Sequence, residues 1–444
     1  MIILLFTVFS SVSLQAQKIN YEASFEQARK LALQQKKPLA VLITIQPPVY
    51  TPNFMNGLND KAVIEKFNSS FINFMADRAD TAASGRIIKK YRINRFPSYI
   101  FFDSRGGFMF SDIAYLGWSE PILAIAQRAL GSAKEKSLVD YDSVYAAGEC
   151  SLSFLKEYIL KREKAGIISN AELIEKYVYG LKVSDFSNYN EVLFILKAGP
   201  VVDGVAYRLA RLNKEVIDSI FKTEPLSDRL AINNATITNT MTSAIAGKNF
   251  ALAMGAANFT RTTWSDNPFE GQKNWSLKLI QYYLGVKDTI NYLQYASTFY
   301  EQYYMRLTVD SVRKKDSLNL VRIRNNAIQT AGARTSDPTV RRSVSFIYAK
   351  DKYASELDEA ASVFSRMALN RNEFLFKALL WSKRSIELSP RPDYYNTYAH
   401  LLYRLKFFDE AESMQKKAIE SAKAGKTDSR LFQEEYEKIR TRTL

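Results

Sequence analysis

The run Leu39-Ala40-Val41-Leu42-Ile43-Thr44-Ile45 narrows the possible folds more than any other segment of the chain. A half-exposed strand alternates apolar and polar residues, and this one does not, so both of its faces must be covered. That is the position of a central strand in a sheet packed by helices on either side. Its flanks agree. Ser24 to Gln35 places Phe25, Ala28, Leu31 and Ala32 on one helical face, and Lys36-Lys37-Pro38 ends that helix, because proline disfavours the helical conformation of the residue before it. The pattern then predicts a helix over Asp60–Phe67, a strand over Phe71–Met75, a helix over Ser84–Tyr91 and a strand over Ser98–Asp103. A further strand around Phe108–Phe110 is reached through Arg105-Gly106-Gly107, a hairpin turn, and a last helix is expected from a cap at Ser119 through Pro121 to Leu130. Alternation of this kind makes a small α/β sandwich.

Strand signals stop beyond about Leu138. Helical spacing is seen over Leu152–Lys161, Asn170–Tyr179, Glu191–Leu196, Val205–Phe221, Trp275–Tyr283, Thr289–Tyr304 and Ala354–Asn370. Residues 310–345 are polar and read as a long connection. The fold class expected is therefore an α/β domain over residues 18–131, a helical region over 138–310 and a second helical region over 345–444. Residues 1–17 read as a secretory signal: Ile2 to Val12 is apolar, small residues follow, and cleavage is expected near Ala16 or Gln17. No Lys or Arg precedes the run. It is too short to span a bilayer, and no later stretch is apolar enough to do so.

Of 444 residues, 47% are hydrophobic, which excludes a disordered chain. There is one cysteine, Cys150, and one histidine, His400, so no internal disulfide is available. Zinc and copper sites built from His and Cys need three or four such ligands and are excluded. The net charge of +15 is spread along the chain, the densest pieces being Arg313-Lys314-Lys315 and Arg341-Arg342. A solvated basic surface is expected rather than a nucleic-acid site. No glycine-rich phosphate loop is present, and no cofactor is expected.

The string from Tyr91 through Arg95-Phe96-Pro97-Ser98 to Asp103, followed by Gly106, resembles the cis-proline stretch of thioredoxin-like proteins. The preceding helix, Lys-Pro and apolar strand, and the later Asp60-x-x-Val63 helix start, extend the resemblance over about a quarter of the chain. It implies a thioredoxin-like fold. In redox-active members the strand after Lys-Pro leads into Trp-Cys-x-x-Cys, where a helix amino-terminus lowers the first thiol's pKa. Here the stretch reads Gln46-Pro47-Pro48-Val49-Tyr50-Thr51-Pro52-Asn53, with Pro48 and Thr51 near the two cysteine positions. Neither can attack a disulfide, so no dithiol exchange is expected. What the resemblance leaves is a groove for an extended peptide, lined by Tyr50, Phe96 and Pro97.

The carboxy-terminal helices Phe376–Leu388, Tyr394–Leu405 and Phe408–Ala422 resemble tetratricopeptide repeats, with Ala411 and Ala418 at small-residue positions and Ala378 one period of about 34 residues earlier. Lys406 stands where a glycine turn is usual and Gln415 where an aromatic is usual. The whole order is similar to secreted thioredoxin-family proteins of the Gram-negative envelope. Together these readings point to a non-catalytic protein-binding or scaffolding protein of the periplasm or cell exterior, its partner a protein or peptide. The alternative is a monothiol oxidoreductase or chaperone-like isomerase using Cys150, which requires that thiol to be exposed and close to Pro97. His400 is expected to be structural. The paired tyrosines at Tyr282-Tyr283, Tyr303-Tyr304 and Tyr394-Tyr395 suit either helix packing or recognition.

Overall fold

Central placement of Leu39–Thr44 organises the amino-terminal part of the molecule. The structure is a computed structural model describing residues 18–45, 54–91, 93, 95–331, 348–369, 371–425 and 427–444. Five strands, β1 (Tyr21–Glu22), β2 (Leu39–Thr44), β3 (Ile72–Asp77), β4 (Ser98–Phe102) and β5 (Phe108–Ile113), form one mixed sheet of order β1-β3-β2-β4-β5. β1, β3 and β2 run parallel, while β4 and β5 are antiparallel, in register with Leu39 opposite Ile72 and Phe102. The helices are α1 (Phe25–Gln35), α2 (Lys61–Ser70), α3 (Thr81–Tyr91) and α4 (Ser119–Ser132). Alternate residues of β2 feed two cores. Leu39, Val41 and Ile43 pack with α1 and α3 residues Ala28, Ala32 and Ile87, whereas Ala40 and Leu42 pack with Val63, Phe67 and Ala126 of α2 and α4. All three large residues of the first set are fully buried, so truncating any one to alanine would cost about 2–5 kcal/mol.

Side-chain caps fix the local turns. Ser24 accepts from Gln27 N to start α1, and Asp60 accepts from Ala62 N to start α2. In the β4–β5 hairpin Asp103 Oδ1 accepts from the amides of Arg105 and Gly107, each at 2.8 Å, and Gly106 takes φ 83°. The residue preceding α4 is Trp118, not Ser119, and it makes no side-chain cap bond. β1, two residues long, has no sequence signature of its own and is recruited by pairing with Asn73 and Phe74.

Beyond the sheet the described chain is helical: α5 (Leu138–Ala146), α6 (Leu152–Lys164), α7 (Ala171–Val178), α8 (Tyr189–Lys197), α9 (Val205–Ala210), α10 (Lys214–Thr223) and α11 (Leu226–Ala246). The expected single helix over Val205–Phe221 is two, because the Asn213 side chain accepts from Glu215 N and Val216 N and starts α10 afresh. The chain divides into two compact units between Asn239 and Thr240, within α11. In the first unit α5 to α10 surround their own core, including Tyr158, Ile174, Ile195 and Ile220.

The second unit continues with α12 (Phe250–Thr262), α13 (Pro268–Gly285), α14 (Thr289–Tyr300), α15 (Val309–Ala331), α16 (Ala349–Met367), α17 (Asn372–Leu388), α18 (Pro392–Arg404), α19 (Phe408–Ala424) and α20 (Arg430–Arg440). A π-helical turn, Glu301–Met305, extends α14. Its core centres on Trp381, Phe364 and Leu357, with the Trp381 indole donating to Glu301 Oε1 at 2.8 Å. The polar stretch expected as a connection from 310 is helical through Ala331. Its side chain Asp316, buried, accepts the amides of Ala349 and Lys350 at the start of α16. Tertiary anchoring thus overrides a weakly amphipathic sequence. Ala378, Ala399, Ala411 and Ala418 are fully buried where α17, α18 and α19 approach one another. Gln415 is buried too, its amide donating to Asn396 Oδ1 and Phe432 O, each at 2.9 Å. His400 is half-buried on α18, with Nε2 3.1 Å from Glu435 Oε2 of α20.

Several helix ends share one feature. After α1, α11, α13, α18 and α20 the left-handed residue is basic, Lys36, Lys248, Lys287, Lys406 and Arg442, with φ between 49° and 67°. Glycine is the usual occupant of that position. Among the described residues no helix is long and apolar enough to cross a membrane.

Candidate functional site

The carboxyl ends of β2 and β3 meet the amino end of β4 at one end of the sheet, and loops there bring the candidate residues together. β3 ends at Asp77, whose Oδ1 accepts from Ala79 N at 2.7 Å, while Arg78 N donates to Thr44 O at 2.8 Å. Arg78 is thereby tied to the end of β2. Its guanidinium lies over the Phe96 ring, 4.8 Å from the centroid, a cation–π contact contributing about 0.5–1 kcal/mol at an exposed site.

The Phe96–Pro97 peptide bond is cis, as the resemblance implies. Pro97 is buried and its carbonyl accepts from Ala114 N at 2.8 Å, while Ser98 Oγ donates to Arg95 O. Phe96 is half-buried, and its backbone N–H and C=O have no hydrogen-bond partner among the described residues. Of the residues expected to line a groove, the structure therefore brings Phe96 and Pro97 to this end of the sheet. Tyr50, Pro48 and Thr51 lie outside the described residues, as does the 1–17 segment.

Sequence reasoning missed the β5–α4 loop. The Ala114 amide fixes it at one end to Pro97. Gly57 fixes it at the other, its N–H donating to Leu116 O at 2.9 Å. A Cβ on Gly57 would stand 2.6 Å from the Trp118 carbonyl carbon and oxygen, so only glycine fits. Leu116 is buried at the second anchor, and two other residues of the loop face solvent: Tyr115 is 59% and Trp118 71% exposed. Neither the Tyr115 hydroxyl nor the Trp118 indole N–H has a partner among the described residues. Two large aromatics on a loop held at both ends are poor core residues and good recognition residues. The signal available in the sequence was Tyr115-Leu116-Gly117-Trp118, an aromatic-rich stretch where a helix cap was expected.

Cys150 is exposed, just ahead of α6. Among the described residues no group of three or more His, Cys, Asp or Glu could hold a metal ion.

No family model matches the chain, and no curated protein matches it. Among solved structures it is similar to a chain titled "DsbH Oxidoreductase", at 14% identity and a TM-score of 0.22, over 27% of this chain and 87% of that one.

Proposed function

We propose that residues 18–131 are a thioredoxin-like domain without redox chemistry that works as a recognition module, taking an extended segment of another protein across the Phe96–Pro97 end of its sheet. The reading is supported by the order helix, Lys-Pro, strand, helix, strand, helix, cis-proline, hairpin, helix, and by the lack of a second cysteine anywhere in the sequence. The observation that carries it is that the Phe96 backbone has no hydrogen-bond partner among the described residues, while the next residue, Pro97, is tied to the loop that carries solvent-facing Tyr115 and Trp118. The backbone pair supplies strand-addition hydrogen bonds and the aromatics supply anchors. The helices after residue 138, and tetratricopeptide-like packing over 345–444, form the scaffold of a protein acting in the cell envelope.

The test is crosslinking in the native host followed by mass spectrometry, with the wild-type chain and with Tyr115→Ala and Trp118→Ala. Both substitutions are at exposed positions and should leave the circular dichroism unchanged. A defined protein partner that crosslinks to the wild type and is reduced about tenfold or more in the variants supports the reading. A partner captured equally by all three chains removes it.

A further inference from the structure

The second unit holds a groove of unusual composition for so charged a chain. Beside α14 and its π-helical turn lie two adjoining cavities of about 270 and 470 Å3, sharing Thr298 and Gln302. The smaller is walled by aromatic residues, including Trp275 and Tyr295, and by the neutral polar side chains of Ser276, Gln294, Thr298 and Gln302, with no charged residue. In a protein with 24% charged residues, that exclusion points to a neutral ligand.

Ser276 and Thr298 already donate to the carbonyls of Gln272 and Gln294, which leaves the two glutamines as the polar groups open to a ligand. The side-chain amides of Gln294 and Gln302 have no hydrogen-bond partner among the described residues, and both residues are exposed. They lie eight residues apart on the same face, with Thr298 between them. Gln302 lies in the wider turn over Glu301–Met305, and such turns recur at functional sites. Trp275 is held from behind: its indole N–H donates to Asn258 Oδ1 at 3.0 Å, while its ring packs on no other aromatic ring among the described residues. Tyr295 is fixed against Tyr283 at 4.9 Å between centroids and remains 37% exposed.

We infer that this cavity binds a sugar ring of a neutral oligosaccharide. A pyranose has a face of C–H groups, weakly positive, which suits the negative face of an aromatic ring. Around its edge are hydroxyls that both donate and accept, as the amides of Gln294 and Gln302 do. An anion would find no cation in the smaller cavity. A purely apolar ligand would desolvate two amides without replacing their water hydrogen bonds. The volume, at the low end for small-molecule sites, fits one ring, and the adjoining cavity, lined by Glu301, Arg306 and Lys377 as well as Met305, leaves room for the chain to continue.

The experiment is isothermal titration of the full chain with neutral hexasaccharides of glucose, mannose, galactose and N-acetylglucosamine at millimolar concentration, and with a sulfated hexasaccharide of the best of these. Binding of at least one neutral oligosaccharide is expected, weakened about tenfold or more by Gln294→Ala and by Gln302→Ala. Both residues are exposed and away from the core, so folding is preserved; Tyr295→Phe, which keeps the ring, should bind within about twofold of wild type. Absence of binding across the neutral panel, tighter binding of the sulfated sugar, or binding unchanged in both glutamine variants would overturn the assignment. Trp118→Ala should leave this binding intact, which separates its failure from that of the recognition site above.

Discussion

His400 and two buried carboxyls give the folded chain opposing responses to pH. Burial holds the His400 pKa below its ordinary value, with Arg404 adding to the effect and the Glu435 carboxylate only partly countering it. As pH falls through about 6.5 the unfolded histidine takes up a proton that the folded one refuses, so the folded state loses stability on acidification. Glu163 and Asp358 act the other way. Burial pushes each up to about 7, so the folded state keeps a proton that the unfolded chain has already released. Their contribution is present at low pH and is lost as pH rises from about 4 through about 7. Thermal unfolding across this range should therefore show Glu163→Gln gaining stability relative to wild type above neutrality, and His400→Asn losing less than wild type on acidification. Parallel wild-type and variant profiles would contradict these assignments. Cys150, though exposed, has no second thiol to resolve a mixed disulfide. Cys150→Ser should leave partner crosslinking unchanged, and loss of the partner would revive the monothiol reading.

At the scale of elements, Gly57 carries the loop that presents Tyr115 and Trp118. Gly57→Ala must move backbone rather than a flexible side chain, so a cost of about 1–3 kcal/mol in urea unfolding and weaker partner capture are expected together. β2 was legible because a strand covered on both faces leaves a continuous apolar run, and the hairpin because Arg105-Gly106-Gly107 carries the glycines a tight turn needs. The buried alanines of α17 to α19 were legible from their spacing. The clamped loop was not, since its order comes from Pro97 and Gly57, distant in sequence, and loops have no period to read. α15 was misread for a related reason: its anchor, Asp316, finds its partners more than thirty residues away. The neutral groove was equally invisible, because its lining mixes α13 with α14.

The whole molecule consists of two compact units, and the two candidate binding regions fall in different ones. The aromatic loop belongs to the first and the neutral groove to the second. Each sets aromatic rings beside polar groups that have no hydrogen-bond partner among the described residues. On the readings proposed above, the chain would hold two things, one on each unit. Its +15 charge sets how it meets anionic surroundings without specifying either site.

The basic residues at the left-handed helix ends have a consequence for how the chain can change. A side chain in that conformation costs about 1–2 kcal/mol, offset in part by a positive charge near the helix carboxyl end. Lys406→Gly should accordingly raise the melting temperature of the second unit by a few degrees, by up to about 1 kcal/mol, and no rise would mean the charge fully compensates. Lysine and asparagine codons differ at one base, and asparagine enters this conformation more readily than lysine. Lys36, Lys248, Lys287 and Lys406 are thus four separate places where a single nucleotide substitution would relieve the backbone cost, with a net gain wherever the lost charge contributes less. Under selection for heat resistance these helix ends, rather than the packed cores, are where the first adaptive changes should accumulate.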